Sequence, residues 1–104
     1  MDELILILTT MPDDARADEL AASLVGEKLA ACVNVHGPMM STYRWKDAVE
    51  RDAERQIVIK TTRARLPAIE SRLRTLHPYE VPEFVVLGAE SSEAYRQWAI
   101  DASR

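Results

Sequence analysis

The segment from position 76 to 83, with the sequence LHPYEVPE, gathers the side chains of this chain best suited to chemistry. One of only two histidines stands there, close to a tyrosine and two glutamates: His77, Tyr79, Glu80 and Glu83. An imidazole can transfer a proton near neutral pH or bind a metal ion, and carboxylates bind cations. Since the segment joins a predicted helix to a predicted strand, where binding residues are common, it predicts a functional loop.

Each of these residues can equally have a purely structural role. His77 fits a loop histidine that is hydrogen-bonded near the end of a helix. Glu80 and Glu83 fit solvated loop charges as well as they fit a carboxylate pair. The functional interpretation of His77 rests on the density of polar and aromatic neighbours in this one segment.

Two other residues could bind a ligand. Cys32 is the only cysteine, which excludes an internal disulfide and a multi-cysteine metal site within one chain. Cys32 and His36 lie on the same side of a predicted strand, but four strand residues span about 13 Å, too far for one ion to bridge. Cys32 therefore fits a small buried residue or, if accessible, a ligand for a soft ion such as copper. Lys60 ends an apolar strand, where it fits a charge at the strand end, a partner for a carboxylate or a residue in a pocket.

The apolar pattern predicts the elements that position these residues. Strands are expected at residues 3–9, at 31–36 continuing through 39–45, at 49–62 and at 84–88, with a break after the first strand at residues 11–14. Amphipathic helices are expected from Ala17 to about Gly26–Lys28 and from Leu66 to Leu76, and a last helix begins after a cap at Ser91 or Ser92. Residues 46–48 are expected to form a hairpin turn.

This order, β-α-β-β-α-β with a terminal helix, predicts a ferredoxin-like sandwich, an α/β (α+β) fold with an antiparallel sheet and a long hairpin between the second and third strands. We expect helices on one face of the sheet only. The other face, which carries Cys32, then requires a partner, and self-association is the commonest solution. Four aromatic residues on the hairpin and the last helix fit a subunit interface better than a core: Tyr43, Trp45, Tyr95 and Trp98.

The composition sets the remaining limits. The 104 residues predict a single domain over residues 1–104, and the apolar content of 47% suits a compact protein. A formal net charge of −4 without a concentrated basic surface argues against binding nucleic acid. No apolar run approaches the roughly 18 residues of a membrane span, and no signal peptide is visible, so a cytoplasmic location is expected.

Five segments together resemble one known family, the CutA divalent-ion tolerance proteins. The segments are TTMPDD, EKLAACVNV, TYRW, IVIKTT and HPYEVPE, and the match runs from Leu4 to about Trp98. The resemblance implies a ferredoxin-like homotrimer related in architecture to PII-type signalling proteins. It also implies tolerance to divalent metal ions, with copper binding in some members, and clefts between subunits lined by residues matching Cys32, Lys60, His77, Tyr79, Glu80 and Glu83.

The chain departs from the copper-binding pattern of some members at two positions. Those members carry a thiol just after the first strand and two histidines before the Pro-Tyr pair. Thr9 and Leu76 stand at two of these three positions here, and only His77 remains.

Two functional hypotheses follow. The first is a trimer that binds a divalent metal ion, copper or zinc, weakly at a cleft between subunits, with His77 and Cys32 as metal ligands and Glu80 and Glu83 as helpers. The second is a PII-like signalling or scaffold trimer that binds a small anion or metabolite mainly through Lys60 and Tyr79.

The sequence does not predict an enzyme. Gly-rich phosphate loops, C-x-x-C, H-E-x-x-H and G-x-S-x-G patterns do not occur. An acylphosphatase-like hydrolase on the same fold is disfavoured as well, because the Gly-rich anion loop with its arginine is missing after the first strand.

Overall fold

The computed structural model describes residues 3–104, and its elements follow the predicted order. A bend at residues 36–38 divides the predicted second strand in two. The elements are β1 (Leu4–Pro12), α1 (Ala15–Gly26), β2 (Cys32–Val35), β3 (Met39–Trp45), β4 (Ala48–Thr62), α2 (Leu66–Leu76), β5 (Val85–Gly88) and α3 (Glu93–Ala102). In this described range, no helix has the length and apolar character needed to cross a membrane.

All strand pairs are antiparallel, and the main path of the sheet is β2-β4-β1-β5. β3 pairs with the first half of β4, and β2 pairs with its second half. The same edge of the long strand β4 is therefore paired with β3 and then with β2. β1 and β4 form the centre of the sheet and pair from Leu4 opposite Thr62 to Pro12 opposite Glu54. This topology confirms the predicted ferredoxin-like fold.

β1 is longer than the sequence predicted. The Met11-Pro12 pair was expected to end the strand, but β1 continues through both residues because β4 still offers partners at Arg55 and Glu54. Met11 is only 1% exposed, so its burial in the core also favours the extended conformation. Pro12 is tolerated because it is the last residue of the strand, where a missing N–H costs little.

The core lies between the sheet and the helices α1 and α2. Alternation along β1 and β4 turns every second residue toward the helices, and both strands bury isoleucines there. Fully burying one such side chain contributes roughly 1.5–3 kcal/mol. The large buried members of this cluster are Ile5, Ile7, Met11, Leu20, Leu24, Ile57, Ile59, Ile69 and Leu73.

The opposite face of the sheet is apolar and partly open. Leu6 lies opposite Leu87 and Leu8 opposite Val85, and the two β5 residues are 45% and 42% exposed. The expectation that no helix covers this face is wrong at one end, where Ala99 of α3 packs against Leu4. The apolar stripe of α3 needs a surface to pack against, and this end of the open face provides one.

The caps at the helix ends follow the sequence. Asp14 caps α1 by accepting a 2.9 Å hydrogen bond from the backbone N–H of Arg16, and Ser92 caps α3 by accepting one from Tyr95. α1 ends in a Schellman motif, in which the N–H of Leu29 bonds the carbonyl of Leu24. Lys28 occupies the left-handed position of that motif, with φ of 60°, where glycine is the usual residue.

We predict that Lys28→Gly raises the free energy of unfolding by about 0.5–1 kcal/mol, because glycine adopts this backbone conformation without a Cβ clash. Urea denaturation with fitted midpoints measures the change. Lys28→Ala is the matched control: it removes the same charge but keeps the Cβ, so it should give no comparable gain. Equal stabilisation by both variants would show that the charge, and not the backbone, is responsible.

Candidate functional site

The loop after α2 is held to the end of β1 by His77. This side chain is buried at 9% exposure, and its Nε2 atom lies 2.7 Å from the carbonyl oxygen of Thr10 and 3.3 Å from the Thr9 hydroxyl. Its Nδ1 atom accepts a 3.2 Å hydrogen bond from the backbone N–H of Tyr79. Because an amide N–H only donates and a carbonyl only accepts, the proton is on Nε2 and the ring is the neutral tautomer.

The electrostatics of His77 agree with this assignment. Burial lowers the pKa of His77 from its ordinary value, although the Thr10 carbonyl and the charge of Glu54 act in the opposite direction. Both ring nitrogens are used within the chain. In this arrangement His77 ties the loop to the sheet and has no free nitrogen lone pair for a metal ion.

Tyr79 connects the same loop to β4. Its hydroxyl donates a 2.6 Å hydrogen bond to Oε2 of Glu54, a carboxylate that is only 7% exposed. Burial and this hydrogen bond raise the pKa of Tyr79, so its hydroxyl stays protonated as the donor. The Tyr79 ring also lies 4.8 Å from the His77 ring, which packs the two residues together.

Gln56 of β4 positions the far end of the loop. Its Nε2 atom donates to the carbonyl oxygen of Thr9 at 2.7 Å and to Oε1 of Glu83 at 3.3 Å. One amide therefore links the end of β1 to a loop carboxylate. Together with the contacts of His77 and Tyr79, it gives the loop three separate attachments to the sheet.

A groove of about 520 Å³ lies between this loop and the β3–β4 hairpin. The hairpin turns at Lys46 and Asp47, which both have positive φ as a type I′ turn requires. The hydroxyl of Tyr43 donates to Asp52, and this hydrogen bond raises the pKa of Tyr43 to about 12. The groove is lined by Thr10, Ser41, Tyr43, Trp45, Glu54, Pro78, Tyr79, Glu80, Val81 and Glu83.

The groove is acidic and aromatic. Three of its lining residues carry carboxylates and three carry aromatic rings, and none of the lining side chains is basic. Its volume falls in the range of pockets that bind small molecules. A groove of this composition attracts a cation and repels an anion.

The predicted site residues fall into two groups. Tyr79, Glu80 and Glu83 line the groove, and His77 lies behind it. Cys32 and Lys60 are cross-strand partners, and by alternation Lys60 lies on the face of the sheet away from the core.

The predicted metal ligands Cys32 and His77 are not brought together within one chain. The Thr9 hydroxyl that contacts His77 is on the core side of the sheet, whereas Cys32 is on the opposite side. Within residues 3–104, no three His, Cys, Asp or Glu side chains are placed so that they could hold one ion. The metal assignment of both residues stays a prediction.

Sequence reasoning missed Glu54 and Gln56. Glu54 lies in the charged stretch ERDAER, where it resembles its solvated neighbours. Only the pairing of β4 with β1 places Glu54 opposite Pro12 and next to the loop. The buried half of β4 begins at Glu54, but the apolar run in the sequence begins only at Ile57, and the partner Tyr79 is distant in sequence.

We predict that His77 makes stability depend on pH. Its folded-state pKa lies below the unfolded value of about 6.5, so the unfolded chain binds the proton more readily. The stabilisation is fully present above that pH, and it is lost as the pH falls through the folded-state pKa.

Urea denaturation at a series of pH values tests this. In His77→Gln, the unfolding free energy should fall less steeply than in the wild type as the pH drops below about 6.5. His36→Gln, which replaces the other histidine, is the matched control, and the effect of His77→Gln on the decline should exceed that of His36→Gln. An unchanged pH profile in His77→Gln would contradict the assignment.

Comparison with known proteins identifies relatives over nearly the whole chain. The family model described as CutA1 divalent ion tolerance protein matches residues 5–102. The divalent-cation tolerance protein CutA of Thermus thermophilus is 42% identical over 99 residues, which are 94% of each protein.

Solved structures agree with the sequence match. CutA from Synechococcus elongatus superposes with a TM-score of 0.92 at 40% identity, covering 100% of this chain and 93% of that one. CutA1 from Oryza sativa gives a TM-score of 0.92 at 34% identity, covering 98% and 94%. Because both the sequence and the topology match over the full domain, this chain belongs to the CutA family of divalent-ion tolerance proteins.

Proposed function

We propose that this protein acts in divalent-cation tolerance by binding divalent metal ions, copper among them, weakly and reversibly in the groove of a homotrimer. The observation that carries the proposal is the set of three carboxylates that line the groove. Among the described residues that line it, none has a positively charged side chain. Carboxylate oxygens are suitable ligands for divalent cations. Glu80 and Glu83 are the proposed metal ligands, because both belong to the loop and face solvent more than Glu54 does.

A single chain holds only part of such a site. Since no three potential ligands converge among the described residues, a second subunit has to complete the coordination. The open face of the sheet supports assembly, because Val85 and Leu87 of β5 expose apolar surface beside Leu6 and Leu8. In a trimer this surface is covered and the grooves lie between subunits.

The contact between Thr9 and His77 supports the proposal that binding is weak. In this chain Thr9 stands where some copper-binding family members carry a thiol, and its hydroxyl lies 3.3 Å from Nε2 of His77. A neutral hydroxyl is a poor ligand for copper compared with a thiolate. His77 itself has to release Thr10 or Tyr79 before it can bind an ion, and Cys32 can act only if a neighbouring subunit supplies further ligands.

The alternative of a PII-like trimer that binds a small anion has less support. Lys60, its main predicted residue, pairs with Cys32 on the sheet face and does not line the groove. The groove itself carries negative charge, which disfavours an anionic metabolite. The cytoplasmic location and the absence of enzymatic activity expected from the sequence stay predictions.

We predict saturable binding of Cu²⁺ or Zn²⁺ in calorimetric titration, weakened about tenfold or more in the double variant Glu80→Gln, Glu83→Gln. Glu70→Gln, an exposed glutamate on α2, should leave the isotherm unchanged. Separate titrations of His77→Ala and Cys32→Ala test the two ligands predicted from the sequence. An isotherm that the double variant does not change would place the metal elsewhere.

We predict that a lysine on the open face dissociates the trimer. Leu87→Lys buries a charge in the proposed interface, so light scattering should give the mass of a monomer where the wild type gives a trimer. Val25→Lys, on the exposed side of α1, is the control and should remain trimeric. A wild-type protein that is monomeric would refute the proposed assembly.

A further inference from the structure

Glu54 is a buried carboxylate that has no cationic partner among residues 3–104. It is 7% exposed, and Tyr79 is the single hydrogen-bond donor to its carboxylate that the structure describes. No ion pair within residues 3–104 reaches it. The Tyr79 hydroxyl supplies this carboxylate with a hydrogen bond but not with a counter-ion.

The nearby arginines are used elsewhere. Arg16 pairs with Asp14 at 2.7 Å, and Arg55 donates to the backbone carbonyl of His36 at 3.2 Å. Alternation along β4 explains why Arg55 cannot reach its neighbour Glu54, because successive strand residues point to opposite faces. The same alternation places Glu50 and Asp52 on the face of Glu54, so their charges add to the negative field there.

Aromatic rings line the groove along the hairpin: the strand register places Tyr43 opposite Glu50 and Trp45 opposite Ala48, four and six residues along β4 from Glu54. Tyr43 and Trp45 line the groove from β3, and Tyr79 lines it from the loop. Tyr43 and Trp45 are 41% and 36% exposed, so their rings remain accessible. The Lys46 ammonium lies 5.7 Å from the centroid of the Trp45 ring, so that ring already makes a cation–π contact within the chain. What the exposed parts of Tyr43 and Trp45 offer a ligand is an apolar surface for an alkyl chain.

We propose that the groove binds a small organic cation, an alkylammonium or alkylguanidinium, with its charged head on Glu54 and its alkyl chain directed along the groove past Tyr43 towards Trp45. A charge-assisted hydrogen bond to one carboxylate and contact with aromatic faces are what such a cation needs. A bare divalent ion instead needs several oxygen ligands around it, which Glu54 alone does not supply. The inference goes beyond metal tolerance and does not depend on it, since the proposed metal ligands are Glu80 and Glu83.

Calorimetric titration of the assembled protein with n-butylguanidinium chloride tests the proposal. The neutral isostere n-butylurea has nearly the same shape, so comparing the two isolates the charge. We expect saturable binding of the guanidinium and an affinity for the urea that is lower by about tenfold or more. Equal affinity for both compounds, or no saturation with the guanidinium, would overturn the proposal.

Variants identify the contacts. Glu54→Gln keeps an acceptor for the Tyr79 hydroxyl but removes the charge, and should weaken guanidinium binding by about tenfold or more. Glu90→Gln, an exposed glutamate outside the groove, should bind as the wild type does. Trp45→Leu is a second, independent variant and should also weaken binding, because it removes the aromatic face. Unchanged binding in both groove variants would show that the cation binds elsewhere.

Two further measurements distinguish this site from the proposed metal site and from a contact between subunits. Trp98→Phe leaves Trp45 as the only tryptophan, so its fluorescence should change on adding the guanidinium. Binding should persist in the Glu80→Gln, Glu83→Gln variant, where metal binding is expected to be lost, so the two proposals can fail separately. If a cationic side chain of a second copy fills the groove, n-butylguanidinium will not bind and Glu54→Gln will alter the mass by light scattering, which would refute a small-molecule site.

Discussion

The antiparallel pairing of β1 with β4 is the interaction on which the rest of the structure depends. Its register, from Leu4 opposite Thr62 to Pro12 opposite Glu54, decides which residues of both strands face the helices. A shift of one residue would turn the buried isoleucines toward the open face. The same pairing places Thr9 and Thr10 beside the loop after α2. The register of β1 and β4 therefore determines both the packing of the core and the position of the groove.

The loop is held by polar contacts, while the fold is held by apolar burial. His77, Tyr79 and Gln56 each bond to a different group of the sheet or the loop. Since a typical hydrogen bond contributes roughly 0.5–1.5 kcal/mol net, these attachments fix the shape of the groove more than they stabilise the domain. His77 is suited to this task as a neutral ring, because it can then accept from one backbone group and donate to another.

Much of the fold could be predicted from the sequence, because periodicity and caps are local signals. The bounds of α2 are confirmed, and so is the order of the strands and helices. The end of β1 was predicted too early, because the pairing that extends it through Pro12 leaves no signal in the neighbouring residues. The open face was described as free of helices because nothing in the stripe of α3 says which surface will receive it.

Only part of the candidate site could be predicted from the sequence. The loop segment was recognised from its composition, and Tyr79, Glu80 and Glu83 do line the groove. Glu54 was overlooked because a glutamate among charged neighbours looks solvated until its tertiary partner is known. Lys60 and Cys32 could be placed on the correct strand face, but their separation from the loop, with Lys60 six residues along β4 from Glu54, follows only from the assembled sheet.

The charges of β4 give the groove its character through strand geometry alone. In the stretch from Glu50 to Arg55, acidic and basic residues largely alternate, so the sheet sends Glu50, Asp52 and Glu54 to one face and the arginines to the other. Sorting like charges onto one face is unfavourable for stability, and an apolar residue in place of the buried Glu54 would avoid the cost of desolvating a carboxylate. The hydrogen bond from Tyr79 requires an acceptor at position 54, but it does not require three like charges on one face. The proposed cation accounts for those charges, because a cation in the groove neutralises Glu54 and relieves the repulsion along β4.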